Sequence, residues 1–152
     1  MLSHLDKKGN AKIVDISDKK ISERYAIASG KISINKAICE QIKKKSNKKG
    51  DIFTVSKIAG IMAAKKTHFL IPLCHPLKLE DIQIKFKFDE KNQIIFVESK
   101  VKCFEKTGVE IEALTAVSIT LLTIYDMCKA VSSQMKIFDI KLIEKKGGKS
   151  NL

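Results

Sequence analysis

What most constrains this 152-residue chain is a stretch without a single charged side chain, Ala113 to Tyr125, set inside a longer helical pattern. From Ile111 to about Val131, the residues Leu114, Val117, Leu121, Ile124, Cys128 and Val131 recur at helical spacing as one stripe. Ala113, Ala116, Ile119, Leu122 and Met127 cover much of the remaining surface. A helix apolar nearly all round is buried on most of its sides. The uncharged stretch is well short of the roughly 20 residues that cross a bilayer. Thr115, Ser118, Thr120 and Thr123 interrupt it as well, so it reads as a core helix. One small subunit can set a sheet against only one face of it, and the other face is expected to meet a second copy of the chain.

The rest of the sequence supplies that sheet. Lys12 to Ile16 and Arg24 to Ile34 read as strands, with Gly30 as a bulge or turn. Asn35 caps a helix to about Lys45, and Asp51 caps a second to about Lys66. In the second, Ala59, Gly60, Ala63 and Ala64 form a small-residue surface that lets another element approach closely. Ile82, Ile84, Phe86 and Phe88 alternate with Gln83, Lys85 and Lys87, the pattern of a half-buried strand. Asp89 to Asn92 turn it into a partner, Ile94 to Phe104, and a last strand lies near Ile137 to Ile143. Strand, helix, helix, hairpin, helix, strand predicts an α+β sandwich with helices on one face of a mostly antiparallel sheet. No repeat or linker divides the chain, so residues 1–152 read as one domain with loose ends near 1–10 and 146–152.

Charge and cysteine usage narrow the function. A net charge of +12 points to an anionic partner. Arg24 is the only arginine among 29 basic residues and there is no Trp, which argues against sequence-specific nucleic-acid binding and for a small phosphorylated ligand. Cys39, Cys74, Cys103 and Cys128 are widely spaced, with no Cys-x-x-Cys. The adjacent Cys74 and His75 point apart in extended chain, so buried free thiols are expected, not a metal site. The first residues hold no apolar segment of a secretory signal, and a cytoplasmic location is expected.

Three constellations carry chemistry. Glu112, Thr115, Asp126 and Lys129 fall within an arc of about 100° on the long helix, a polar track on an apolar element. Asp126 and Lys129, one turn apart, are either a surface ion pair or an acid/base pair with shifted pKa values. Glu112 lies roughly 21 Å away along the helix, so the two ends serve distant parts of one ligand or sites shared with neighbouring subunits. In the loop Leu70 to Leu77, Pro72 and Pro76 restrain His75, as a structural residue or as a rigid phosphate donor and proton shuttle. Gly147-Gly148-Lys149-Ser150 lacks the spacing and the following helix of a phosphate loop, and reads as a basic tail able to fold over an anion.

Taken together, Val14 to Ser17, Lys49-Gly50-Asp51, Ile58 to Lys65, Leu70 to Leu77, Thr107 to Ala116, Leu122 to Ala130 and Lys146 to Ser150 resemble the molybdenum cofactor biosynthesis protein C family over nearly the whole chain. The runs Ile-Pro-Leu-Cys-His-Pro-Leu and Thr-Ile-Tyr-Asp-Met-Cys-Lys-Ala are long enough to be specific. Ser22, Ile111 and His68 depart mildly from that pattern. The resemblance implies a ferredoxin-like subunit in a homohexamer, a trimer of dimers with active sites at subunit interfaces. It implies rearrangement of 3′,8-cyclo-7,8-dihydro-GTP to cyclic pyranopterin monophosphate with loss of pyrophosphate. It assigns Asp126 and Lys129 to acid/base work with Lys49 sharing proton transfer. Arg24, Lys65 and His75 go to the polyphosphate with Lys49, and Glu110 and Glu112 to the guanine-derived ring. Cys74, Lys145 and Lys149 join the substrate-binding set. No cofactor is required, though Mg²⁺ carried by the triphosphate is compatible. Two other readings stand beside it: a regulatory module that binds a purine nucleotide without turning it over, and an RNA-binding domain whose affinity would fall steeply with salt.

Overall fold

The computed structural model describes residues 4–45 and 50–148. Lys49 and Lys149 lie outside the described residues. Along the chain come β1 (Ser22–Ser33), α1 (Lys36–Lys44), α2 (Ile52–Lys65), α3 (Thr67–Leu70), β2 (Leu79–Asp89), β3 (Ile94–Glu105), α4 (Glu110–Cys128) and β4 (Lys136–Lys146). The strands form one sheet in the order β2-β3-β1-β4, and every neighbouring pair is antiparallel. Each helical crossover thus skips one strand, which is the split β-α-β arrangement repeated twice in ferredoxin-like domains.

Strand alternation decides which side of the sheet is covered. Ala26, Ala28 and Ile32 of β1, Ile84 of β2 and Ile95, Val97, Val101 and Cys103 of β3 point the same way and are buried. Against them lie Ala113, Ala116, Val117, Leu121 and Ile124 of α4, all fully buried. The helix passes so close that a Cβ on Gly30 would stand 2.7 Å from Leu121 Cδ1 and 2.9 Å from Val117 Cγ1. Gly30 therefore makes room for the helix. The bulge expected there lies opposite it: the β1–β4 register shifts between Ser29 and Lys31, with the extra residue on β4, where Asp139 takes φ +54°.

The small-residue surface of α2 does what its sequence implies. A Cβ on Gly60 would stand 3.0 Å from the Ala116 carbonyl oxygen of α4 and would overlap the Thr120 hydroxyl. Both capping expectations hold as well: the Asn35 side chain accepts from Ile38 N at 3.0 Å and Asp51 from Thr54 N at 2.6 Å. Lys12 to Ile16 is not a strand but irregular chain: it joins neither edge of the sheet, and Val14 and Ile16 are partly buried around the same cavity as the loop that follows α3. The long helix stops at Cys128, three residues before Val131, with Lys129 as its C-cap. By length and composition α4 would suffice to cross a membrane, but half of it is buried within the fold. Its outer side keeps Leu122 54% exposed, and on α2 Val55, Ile58 and Met62 are exposed at helical spacing.

Candidate functional site

The covalent order of the elements builds a cleft at the N-terminal end of α4. The loop after α3, the first turn of α4 and the irregular N-terminal segment meet around a space of about 700 Å³. Its walls are apolar, with Val14, Ile16, Ile71, Pro72, Leu77 and Ile111. Its polar groups are His4, Lys19, Cys74, His75, Thr107, Glu110 and Glu112. Lys106 Nζ donates to the Ser17 carbonyl at 2.7 Å and fastens the N-terminal wall.

Glu112 is the most constrained of these groups, 4% exposed in the first turn of α4. Burial pushes its carboxyl up to about 7, with the neighbouring charge of Glu110 adding to the rise and the backbone N–H of Glu112 opposing it. Cys74 is half-buried, and burial together with the Glu112 charge raises its thiol above the ordinary range. Glu110 is paired instead, its Oε1 3.1 Å from Lys145 Nζ. Lys145 sits on β4 opposite Ala26 of β1. Two residues earlier, Arg24 donates through Nε to the Glu105 carbonyl at 2.9 Å. Arg24 lies opposite Cys103, a thiol that burial drives up to about 11.

Asp126 and Lys129 stand at the other end of the same helix. Lys129 Nζ lies 2.6 Å from Asp126 Oδ1, both side chains more than half exposed. That hydrogen bond, then the Asp126 charge, holds the ammonium above its usual range. Because α2 meets α4 at Gly60 and Ala116 while the chain after α2 returns to Glu112, the two helices run antiparallel. The start of α2 therefore lies toward Asp126, and its end, with an exposed Lys65, lies toward Glu112. Lys65 does not line the cleft.

The expected site thus divides. Glu110, Glu112, Cys74 and His75 share the cleft, Arg24 and Lys145 adjoin its end of the sheet, and Asp126 with Lys129 is remote within one subunit. Sequence reasoning missed His4 and Lys19. The alternation of Val14 and Ile16 marks an inward face, which the fold sets against the cleft as irregular chain and not as a strand. Among the described residues, no three His, Cys, Asp or Glu side chains converge as a metal-ligand set.

A ferredoxin-like domain with carboxyls in an apolar cleft and cations beside it offers acceptors for a ligand's N–H groups and positive charge for its anionic ones. The chain belongs to the MoaC family, whose model matches residues 13–148. It is 54% identical over 148 residues to the cyclic pyranopterin monophosphate synthase of Clostridium botulinum, covering 97% of this chain and 93% of that protein. It is 49% identical over 149 residues to the synthase of Heliobacterium modesticaldum, covering 98% and 94%. With the molybdenum cofactor biosynthesis protein moc-5 of Caenorhabditis elegans it shares 48% identity over 150 residues, 99% of this chain and 25% of that protein.

Proposed function

We infer that this chain is a cyclic pyranopterin monophosphate synthase of molybdenum cofactor biosynthesis, a lyase that converts 3′,8-cyclo-7,8-dihydro-GTP to the cyclic monophosphate and releases pyrophosphate. The observation that carries the reading to a site is the buried Glu112 beside the paired Glu110 in an apolar cleft. Carboxyls so placed accept from the ring N–H groups of a guanine-derived base. A binding module for phosphates alone has no use for them.

Glu110, Glu112 and Cys74 hold the heterocycle. Lys49, Lys65, Arg24 and His75 hold the triphosphate, with charge stabilisation at the oxygen of the leaving pyrophosphate, and Lys145 and Lys149 complete the substrate-binding set. Asp126 and Lys129, with Lys49, move the protons needed to open and reclose the five-membered ring. A ribose hydroxyl then attacks the α-phosphorus, closing the cyclic phosphate as the bond to the β-phosphate oxygen breaks. Residues roughly 21 Å apart on one rigid helix cannot serve one small molecule alone. The two ends therefore meet across a subunit interface in a homohexamer, a trimer of dimers. The exposed Val55, Ile58, Met62 and Leu122 furnish apolar surface for such an assembly. No protein-held cofactor is required, the triphosphate is compatible with carrying Mg²⁺, and the reaction runs in the cytoplasm, without nucleic acid or membrane.

Incubating the protein with the cyclised dihydro-GTP should release pyrophosphate and yield a product that oxidises to a fluorescent pterin. Tight binding without either product would leave the nucleotide-binding regulatory module as the function.

A further inference from the structure

Beyond Lys146, which lies opposite Tyr25, the chain leaves β4 through Gly147 and Gly148 at φ +98° and +87°. A Cβ on Gly147 would stand 2.6 Å from the Glu23 carbonyl oxygen and 2.9 Å from Arg24 Cγ. A Cβ on Gly148 would overlap the Arg24 guanidinium at Nη1 and stand 3.4 Å from its Cζ. The two bare backbone units thus lie along one side chain, first over its aliphatic stem and then over its charged plane. From β3, the Glu105 carbonyl accepts the Arg24 Nε–H at 2.9 Å. Among the described residues the ion pairs all use lysine as the cation, and Arg24 makes none with a described carboxylate.

We propose that Gly147-Gly148 is a positioning element that, by lying directly on Arg24, presses its guanidinium into one orientation for the substrate's polyphosphate. This rests on the synthase reading above. A freely rotating arginine loses side-chain entropy each time it grips a ligand, whereas one already held by a carbonyl and by overlying backbone has lost most of it beforehand. Its fork then meets phosphate oxygens at fixed angles. Positive φ alone would explain glycine as the residue of a turn. The nearness of a Cβ position to the guanidinium is a separate demand, and it sets the two explanations apart.

The test uses the full-length protein and four variants: Gly148→Ala, Gly148→Asn, Arg24→Lys and the double variant Arg24→Lys/Gly148→Ala. Asparagine tolerates positive φ, so it preserves the turn while crowding the arginine. KM and kcat are measured with the cyclised dihydro-GTP, and the Kd for GTP by calorimetry as a triphosphate probe that needs no turnover. Gly148→Ala and Gly148→Asn should both raise KM and the GTP Kd about tenfold, the loss of one well-placed charge-assisted contact, with kcat within about twofold. Sedimentation and circular dichroism should match the parent. In the Arg24→Lys background, Gly148→Ala should add nothing, because it acts through the guanidinium. Parental affinity in Gly148→Asn, or losses that multiply in the double variant, would overturn the proposal. Should Gly148→Ala not fold, Gly148→Asn decides by the same measurements. If the parent binds GTP but turns nothing over, the synthase reading fails and the GTP arm still judges the glycines. If it binds no GTP either, both readings fall.

Discussion

Glu112 shows how one buried side chain joins binding to stability. Its carboxyl titrates near 7 in the fold, against 4.5 for an ordinary glutamate, because burial disfavours the charge. Below pH 4.5 it is protonated in both folded and unfolded chains and exerts no penalty. Between 4.5 and about 7 the unfolded chain ionises first, so stability falls as pH rises. Above 7 a constant penalty on the order of 3 kcal/mol persists. Glu112→Gln should therefore raise the thermal midpoint at pH 8 and leave it nearly unchanged at pH 4, while weakening substrate binding. An equal effect at both pH values would show that the carboxyl is not held protonated. Asp126 and Lys129 behave oppositely. Exposed within the single chain, their ion pair adds little to the stability of the subunit fold itself, so Asp126→Asn and Lys129→Ala should fold and assemble like the parent. Each should lower single-turnover rates by about 10² or more, and the double variant should do no worse than the slower single one. Near-normal rates would reduce the pair to a surface contact.

At the level of elements, the decisive contact is the crossing of α2 on α4. Gly60 brings the two backbones together where the Ala116 carbonyl oxygen and the Thr120 side chain would meet any Cβ. Alanine is the better helix former by roughly 0.5–1 kcal/mol, but backbone cannot step aside, and overpacking of this kind costs about 1–3 kcal/mol. Gly60→Ala should lower the thermal midpoint by a few degrees, at roughly 2–4 °C per kcal/mol for a chain of this length. Scanning calorimetry would check it, and an unchanged or higher midpoint would mean that the helices separate easily. The same crossing fixes function. It runs α2 antiparallel to α4, carrying the loop with Cys74 and His75 back to Glu112, and leaves the start of α2 toward Asp126.

For the whole molecule, the question is how two distant groups of residues make one site. If they meet across an interface, Glu112→Gln and Asp126→Asn subunits, each nearly inactive alone, should regain activity when unfolded and refolded together in equal amounts. A random mixture places an intact Glu112 and an intact Asp126 at the same site about one time in four, so about a quarter of the parental rate is expected. No recovery, with mixed oligomers demonstrated by mass, would confine each site to one subunit. Sedimentation at micromolar concentration should show an assembly, most simply of six chains, and a folded monomer would remove the basis for a shared site. Substrate affinity should weaken as salt rises, because exposed lysines and Arg24 contribute through screened charge.

Much of this protein was legible in the order of its residues. Period-two alternation in Ile82 to Phe88, the caps Asn35 and Asp51 and the apolar run of α4 are local signals, and local dihedral preferences with burial of one face are enough to produce the elements they predict. The specific runs around His75 and Asp126 likewise identified the family without any coordinates. Contacts between residues far apart in sequence were not legible. Nothing in the spacing of Gly30 tells a bulge from room for a helix, because that depends on Leu121 and Val117 arriving from ninety residues away. Val14 and Ile16 alternate as a strand would, and only the distant loop around Ile71 and Leu77, brought to the same cavity by the fold, makes them the wall of a cleft. Glu112 and Asp126 share a polar track, but the depth of sheet, loop and N-terminal segment around each end decides that one is buried and the other exposed. Burial is a property of the assembled chain, so the tertiary structure alone could separate the two carboxyls.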